Sequence, residues 1–286
     1  MARTAELRAR NVAFWDQAAP GWIRHAERQD ELGRPLGAAA MAALRAAPGE
    51  RVLDVGCGCG GTTAEIAAAV GPAGAAVGVD VSEAMVAAAR HRFPAPGGTA
   101  PVFLAGDIET MGEVPGAPFD AAHSRMTLML LADPVAGLTT IARSLRPGGR
   151  LAATTFRDAA AVPWLMAVVL GAAPHLGDLP PLPLGDEPGP FSFGEPARIE
   201  RLLTAAGFGA VAVEPRDVAL VAPDDPDLLT AWLIEVGPAG AAYRRAEPPA
   251  RAAARSGAAR LLASLRTPGA GYRLPTGIWL ITATTG

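Results

Sequence analysis

The chain has 286 residues, of which 50% are hydrophobic and 19% charged, and a formal net charge of −3. This is the composition of a folded domain of enzyme size rather than a disordered or fibrous chain. No lysine is present and the arginines are scattered, so no basic stripe marks a nucleic-acid backbone as a partner. Residues 1–22 lack the apolar core of a secretory signal, and the most apolar run, 159–173, carries Pro163 and is short for a bilayer span. The expectation is a cytoplasmic protein without a membrane partner. Cys57 and Cys59 have only Gly58 between them, too close for an unstrained disulfide, and the four histidines show no paired ligand spacing, so free thiols and no metal are expected.

In chain order, residues 1–46 read as an N-terminal helical cap, and residues 47–156 alternate strand and helix patterns in the manner of a doubly wound parallel sheet. Arg51–Val55 is a buried strand that runs into Gly56-Cys57-Gly58-Cys59-Gly60-Gly61, with a helix over 62–70. Glycines at alternate positions allow positive φ and bring backbone N–H groups close to a ligand at a helix N-terminus. A second strand ends in Asp80-Val81, where a ribose would lie. A third, over 102–105, ends in Gly106-Asp107-Ile108. Ser82 caps the next helix, and Pro134 opens a helix leading to Pro147-Gly148-Gly149 and a fifth strand. A proline-rich excursion covers 157–193. A helix beginning at Glu195-Pro196 and stopped by Gly207 follows, then a strand over 210–221, a helical insertion over 222–270 and a last strand over 277–284 paired antiparallel.

A nicotinamide dinucleotide domain and a sulfonium-cofactor domain share this layout. Asp54 sits inside the glycine motif, where it would repel a pyrophosphate but favour an ammonium or sulfonium. The run from Asp54 to Gly60, with Asp80, Gly106-Asp107 and Arg146-Pro147-Gly148-Gly149-Arg150, resembles the sequential motifs of class I S-adenosylmethionine-dependent methyltransferases. Phe119-Asp120 to Arg125 and Ala132-Asp133-Pro134 are similar to the ubiquinone/menaquinone-type group within them.

The resemblance implies a Rossmann-like α/β fold: one domain with a seven-stranded, mostly parallel sheet of order 3-2-1-4-5-7-6. The cap and the stretches 157–193 and 222–270 would be lids over the substrate. S-adenosyl-L-methionine is the implied cofactor. Gly56 and Gly58 would lie against its methionine part, with Cys57 and Gly60 completing the loop. Asp54 would position the ammonium, Asp80 with Val81 the ribose, and Asp107 with Gly106 and Ile108 the adenine. Trp15 and Trp22 either anchor the cap or touch cofactor or substrate. Ser124 and Arg125 follow the fourth strand, where Arg125 would pair with the methionine carboxylate or brace Asp54 or Asp120.

Candidate bases are His25 in the cap, His123 at the fourth strand and His175 in the excursion. Met126, Met129, Trp164 and Phe191 are candidates for an apolar acceptor pocket. The expected reaction is methyl transfer to oxygen or carbon of a small hydrophobic or aromatic molecule of secondary metabolism, by a monomer or homodimer. The alternative is an enzyme that uses the bound sulfonium for cyclisation, decarboxylation or rearrangement.

Overall fold

A computed structural model describes residues 2–94, 101–179 and 182–286; Pro180 and Pro181 of the excursion lie outside the described residues. Three helices come first, α1 (Ala2–Arg24), α2 (Ala26–Leu32) and α3 (Arg34–Leu44). They are followed by β1 (Arg51–Val55), α4 (Gly61–Val70), β2 (Ala75–Asp80), α5 (Glu83–Arg92), β3 (Val102–Ala105), β4 (Phe119–Arg125), α6 (Pro134–Ser144) and β5 (Leu145–Phe156). The second half contributes α7 (Pro163–Ala172), α8 (Pro196–Ala205), β6 (Phe208–Ala222), α9 (Pro226–Val236), α10 (Gly240–Arg245), α11 (Pro248–Leu262) and β7 (Gly271–Thr285).

The strands form one sheet of order β3-β2-β1-β4-β5-β7-β6, parallel from β3 to β5, with β7 antiparallel to both β5 and β6. The two residues Arg266–Thr267 add an eighth, very short strand on β7 that the sequence pattern did not signal. In β1 the side chains of Val52, Leu53 and Val55 are all buried, as a strand covered by helices on both faces requires. Helix starts follow local chemistry. Ser82 Oγ accepts from the Met85 N–H at 3.4 Å, Asp133 Oδ1 from Ala136 at 3.0 Å and Asp225 Oδ1 from Leu228 at 2.9 Å, the last two followed by Pro134 and Pro226.

The excursion is more helical than its prolines suggest. Pro163 occupies the first turn of α7, where its missing N–H costs nothing, so it opens the helix rather than interrupting it. Trp164 Nε1 donates to Thr276 Oγ1 at 2.9 Å and fastens α7 to β7. α7 also packs on α11 through glycines: a Cβ on Gly171 would stand 2.6 Å from the Ala258 Cα, and one on Gly257 2.0 Å from the Gly171 carbonyl oxygen.

Candidate functional site

The loop after β1 is tied to the end of β2. The N–H groups of Gly56 and Cys57 both donate to the Val79 carbonyl, at 2.8 and 3.1 Å, and Gly58 N–H donates to Asp80 Oδ2 at 2.8 Å. Gly56, Gly58 and Gly60 have φ of +74°, +52° and +88°, the left-handed region that favours glycine. Their surroundings differ. A Cβ on Gly56 would collide with Thr127, and one on Gly60 would lie 2.8 Å from the Phe103 ring and 2.9 Å from the Ala89 methyl. Beside Gly58 nothing stands within 4 Å, so its backbone is the part of the loop open to a ligand.

Three acids line the resulting cavity at the carboxyl ends of β1, β2 and β3. Asp54 is 2% exposed; its Oδ2 accepts from Thr63 Oγ1 at 2.6 Å and its Oδ1 lies 2.9 Å from His123 Nδ1. Asp80 Oδ1 accepts from Ser82 N–H at 2.9 Å. Burial pushes the Asp80 carboxyl above the usual carboxylate range, against the pull of its two backbone donors. Asp107 Oδ1 accepts from Glu109 N–H at 2.9 Å, and Arg8 Nε is 3.9 Å from its other oxygen. The Glu109 carboxylate takes the N–H groups of Ala132 and Asp133, at 3.0 and 2.7 Å, and burial raises it too.

The cap closes the cavity from the other side. Arg8, Asn11, Val12, Trp15, Trp22, Ala26, Gln29, Asp30 and Gly33 all line it. Most of these recur three, four or seven residues apart, one face of the helical pair. Periodicity was thus the signal by which Arg8, Asn11, Gln29 and Asp30 could have been found. The Trp15 and Trp22 rings meet edge to face with centroids 5.7 Å apart. Asp30 docks against Gly61 at the start of α4, where a Cβ would stand 2.1 Å from its Oδ1. Arg92 Nη2 holds its other oxygen at 2.6 Å. Arg125 lies against Gly37 with Nη2 3.9 Å from Asp30, beside neither Asp120 nor Asp54 in any ion pair.

Of the residues singled out from sequence, the structure brings to the cavity Trp15, Trp22, Asp54, Gly56, Cys57, Gly58, Asp80, Val81, Gly106, Asp107, Ile108, Arg125 and Met126. Met126 has φ +58°, a rare conformation for a side chain of this kind and one that recurs at ligand sites. Gly60 and Ser124 stand behind the wall. Gly60 makes the tight turn into α4, and Ser124 Oγ is turned away to the Val55 carbonyl at 3.0 Å. Met129, Trp164 and Phe191 are buried in the main hydrophobic core instead: Met129 Sδ accepts from the Phe156 N–H at 3.4 Å and its carbonyl from Gly189 and Ser192 of the excursion, while α7 is fastened to α11 and β7. No described residue of 157–193 or 222–270 is part of the cavity wall.

The three histidines are not brought there either. His25 faces Glu235 of α9, with Nε2 3.4 Å from its Oε2, and burial lowers its pKa. His123 is fully buried behind Asp54, and its Nε2 has no partner. His175 follows α7, close to Gly257 of α11. Both thiols are free and buried; burial pushes Cys59 up to about 12 and Cys57 well above its ordinary value. Among the described residues no group of three or more His, Cys, Asp or Glu side chains is arranged to hold a metal, and no helix is long and apolar enough to cross a membrane.

Comparison with known proteins gives this geometry a context. A family model described as a methyltransferase domain matches residues 46–176. Nocamycin O-methyltransferase of Saccharothrix syringae is 32% identical over 210 residues, 71% of this chain and 74% of that protein. A 37.1 kDa protein encoded in a transposon of Streptomyces fradiae is 37% identical over 142 residues, 48% of this chain; the chain spans 39–49% of the length of it and of several other curated relatives. Among solved structures, a chain of the Haloferax volcanii complex between the Trm112 methyltransferase activator and a methyltransferase shares the fold, with a TM-score of 0.56 at 18% identity over 94% of this chain and 96% of that one.

Proposed function

This chain belongs to the class I S-adenosylmethionine-dependent methyltransferases, and from that premise we propose that it methylates an oxygen or carbon of a small hydrophobic or aromatic acceptor in secondary metabolism. The relation of Gly58 to Asp80 carries the reading. Gly58 leaves open space where any side chain would stand, and the carboxylate beside it is held by two backbone N–H groups, at 2.8 and 2.9 Å. Each Asp80 oxygen keeps a further lone pair for a ribose hydroxyl. A flat nucleoside with a short charged tail fits this cradle.

The remaining roles are assigned on the same footing. Asp107 and the Ile108 backbone hold the adenine edge, Val81 and Met85 its faces, and Gly56 with Cys57 the methionine chain. Asp54, aimed by Thr63 and His123, favours the ammonium, while Arg125, a cation of the cavity wall, faces the carboxylate. The cofactor supplies a methyl group made electrophilic by positively charged sulfur. The protein's part is to align the acceptor with that methyl and to exclude water, the charge on sulfur being neutralised as the bond forms.

Val12, Trp15, Leu36, Met126, Leu130 and Leu131 give the wall its apolar character, which suits a hydrophobic or aromatic acceptor. The oxygen named for the Saccharothrix relative supports O-methylation. None of the three histidines reaches the wall, and the thiols stay protonated. With neither an imidazole nor a thiolate at the wall, an acceptor that is nucleophilic of itself suits the site best: a carboxylate, an acidic enol or phenol, or an activated carbon.

Methyl-labelled S-adenosylmethionine incubated with aromatic acids, phenols and 1,3-dicarbonyls tests this reading. Label moving into an extractable product, with one S-adenosylhomocysteine formed per methyl, is the expected result. Conversion of an acceptor without consumption of the cofactor would support cyclisation or rearrangement instead. Failure of S-adenosylhomocysteine to raise the melting temperature would remove the proposed site.

A further inference from the structure

The insertion contributes nothing to the cavity wall, yet it grips two cavity-lining side chains, one on each side of the α1–α2 break. Trp22 Nε1 donates to the Val236 carbonyl at 3.1 Å, and Gln29 Oε1 accepts from Trp232 Nε1 at 3.1 Å. Between them α1 ends at Arg24, His25 takes φ −105° and ψ 16°, and α2 starts at Ala26 with no side chain capping it. One carboxylate reaches both residues of this break. Glu235, 7% exposed, accepts from Arg24 Nη1 at 2.9 and 2.8 Å through its two oxygens and faces His25 Nε2 at 3.4 Å. A carboxylate buried at a helix surface is costly unless its partners hold it.

We infer that Glu235 is a positioning residue that clamps the break between α1 and α2 and so holds the cap closed over the cofactor. The cap covers the glycine loop: Asp30 sits on Gly61, and Trp15, Trp22 and Gln29 complete the wall above it. A ligand enters or leaves that loop by displacing the cap, and a helix break is where such motion concentrates. Other cap contacts do not need the Glu235 side chain. Arg244 reaches the carbonyl oxygens of Glu235 and Gln17, Trp22 reaches Val236, and Gly21 packs on the Glu235 carbonyl, where a Cβ would stand 2.6 Å away. Removing the carboxylate frees the break while the cap stays attached.

The test compares wild type with Glu235→Ala, Glu235→Gln and Arg24→Ala, the last at a side chain 59% exposed that the fold can lose. Hydrogen exchange of α1–α2 amides is measured on the ligand-free protein, and S-adenosylhomocysteine dissociation by stopped flow. Loss of the clamp is expected to speed exchange across residues 20–30 and to raise the dissociation rate by about 10-fold, with a smaller change in melting temperature. Glu235→Gln, which keeps an acceptor for Arg24, should recover part of the effect. Adding Arg24→Ala to Glu235→Ala should add little. Unchanged exchange and release in the single variants, or additive effects in the double variant, overturn the inference. If Glu235→Ala does not fold, Glu235→Gln and Arg24→Ala decide. The release arm rests on the cofactor reading above and the exchange arm does not, so a wild type that binds no S-adenosylhomocysteine counts against that reading alone.

Discussion

His123 Nδ1 and Asp54 Oδ1 stand 2.9 Å apart at paired positions of β4 and β1, with Thr63 Oγ1 of α4 on the other Asp54 oxygen. The acid of the glycine motif is therefore held from two sides by groups that never touch the cavity themselves. That arrangement makes His123 a support for Asp54 rather than a proton acceptor for substrate. His123→Ala leaves a buried carboxylate short of one partner, which costs roughly 1–3 kcal/mol. A fall in melting temperature of several degrees is expected, together with weaker cofactor binding. At saturating cofactor the pH profile of turnover should keep its shape; loss of a limb of that profile would mark His123 as the base after all.

Asp80→Ala should weaken cofactor binding by at least ~10-fold, because the change removes the acceptor of two ribose hydroxyls. The same change leaves the N–H groups of Gly58 and Ser82 without their partner, so the ligand-free protein should also melt earlier. Calorimetric titration with S-adenosylhomocysteine and a thermal melt on the same sample separate the two effects. Unaltered affinity in a folded variant would remove Asp80 from the site.

Much of the sheet was legible because its signals are local. Strand runs such as Val52–Val55 and Val102–Ala105, the cap at Ser82 and the prolines at 134 and 196 each act within a few residues, and each appears where the sequence puts it. What sequence could not rank was reach. His123 and Arg125 are two residues apart and share a face of β4, with Ser124 on the other, yet of the three only Arg125 lines the cavity: it is the last residue of the strand, whereas His123 lies two residues back, buried beside Asp54. His25 looked suited to catalysis because it belongs to the cap; its neighbour Glu235 comes from more than two hundred residues away. Likewise Trp164 and Phe191 read as acceptor-pocket residues until the packing of α7 against α11 and β7 turned that segment into core.

Gly58 and Gly60 should respond differently to the same methyl group. Both have positive φ, so alanine strains either position by about 1 kcal/mol. At Gly60 the added Cβ would also meet the Phe103 ring at 2.8 Å and the Ala89 methyl at 2.9 Å, and the variant should be poorly folded. At Gly58 it meets nothing, so Gly58→Ala should fold with a small loss in melting temperature and lose most of its affinity for S-adenosylhomocysteine. Equal affinity in Gly58→Ala would show that the open face of the loop is not where the cofactor lies.

The thiol of Cys59 predicts how stability depends on alkaline pH. Burial is the main cause that pushes it up to about 12, with Arg92 pulling the other way. An unfolded cysteine ionises near 8.5. The folded state thus holds its proton where the unfolded chain has lost it, so this group's contribution is complete below about 8.5 and is lost as pH rises towards 12. Melting temperature should fall between pH 8 and pH 11, and Cys59→Ala should flatten that fall relative to wild type, the difference isolating this thiol from other alkaline titrations. At pH 8 the folded thiolate fraction is only about 1 in 10,000, so iodoacetamide should modify the native protein very slowly and the unfolded chain readily. Fast labelling of Cys59 in the native protein would instead mean that the cap, which packs Ala19, Ala26, Trp15 and Trp22 around this residue, opens often enough to expose it.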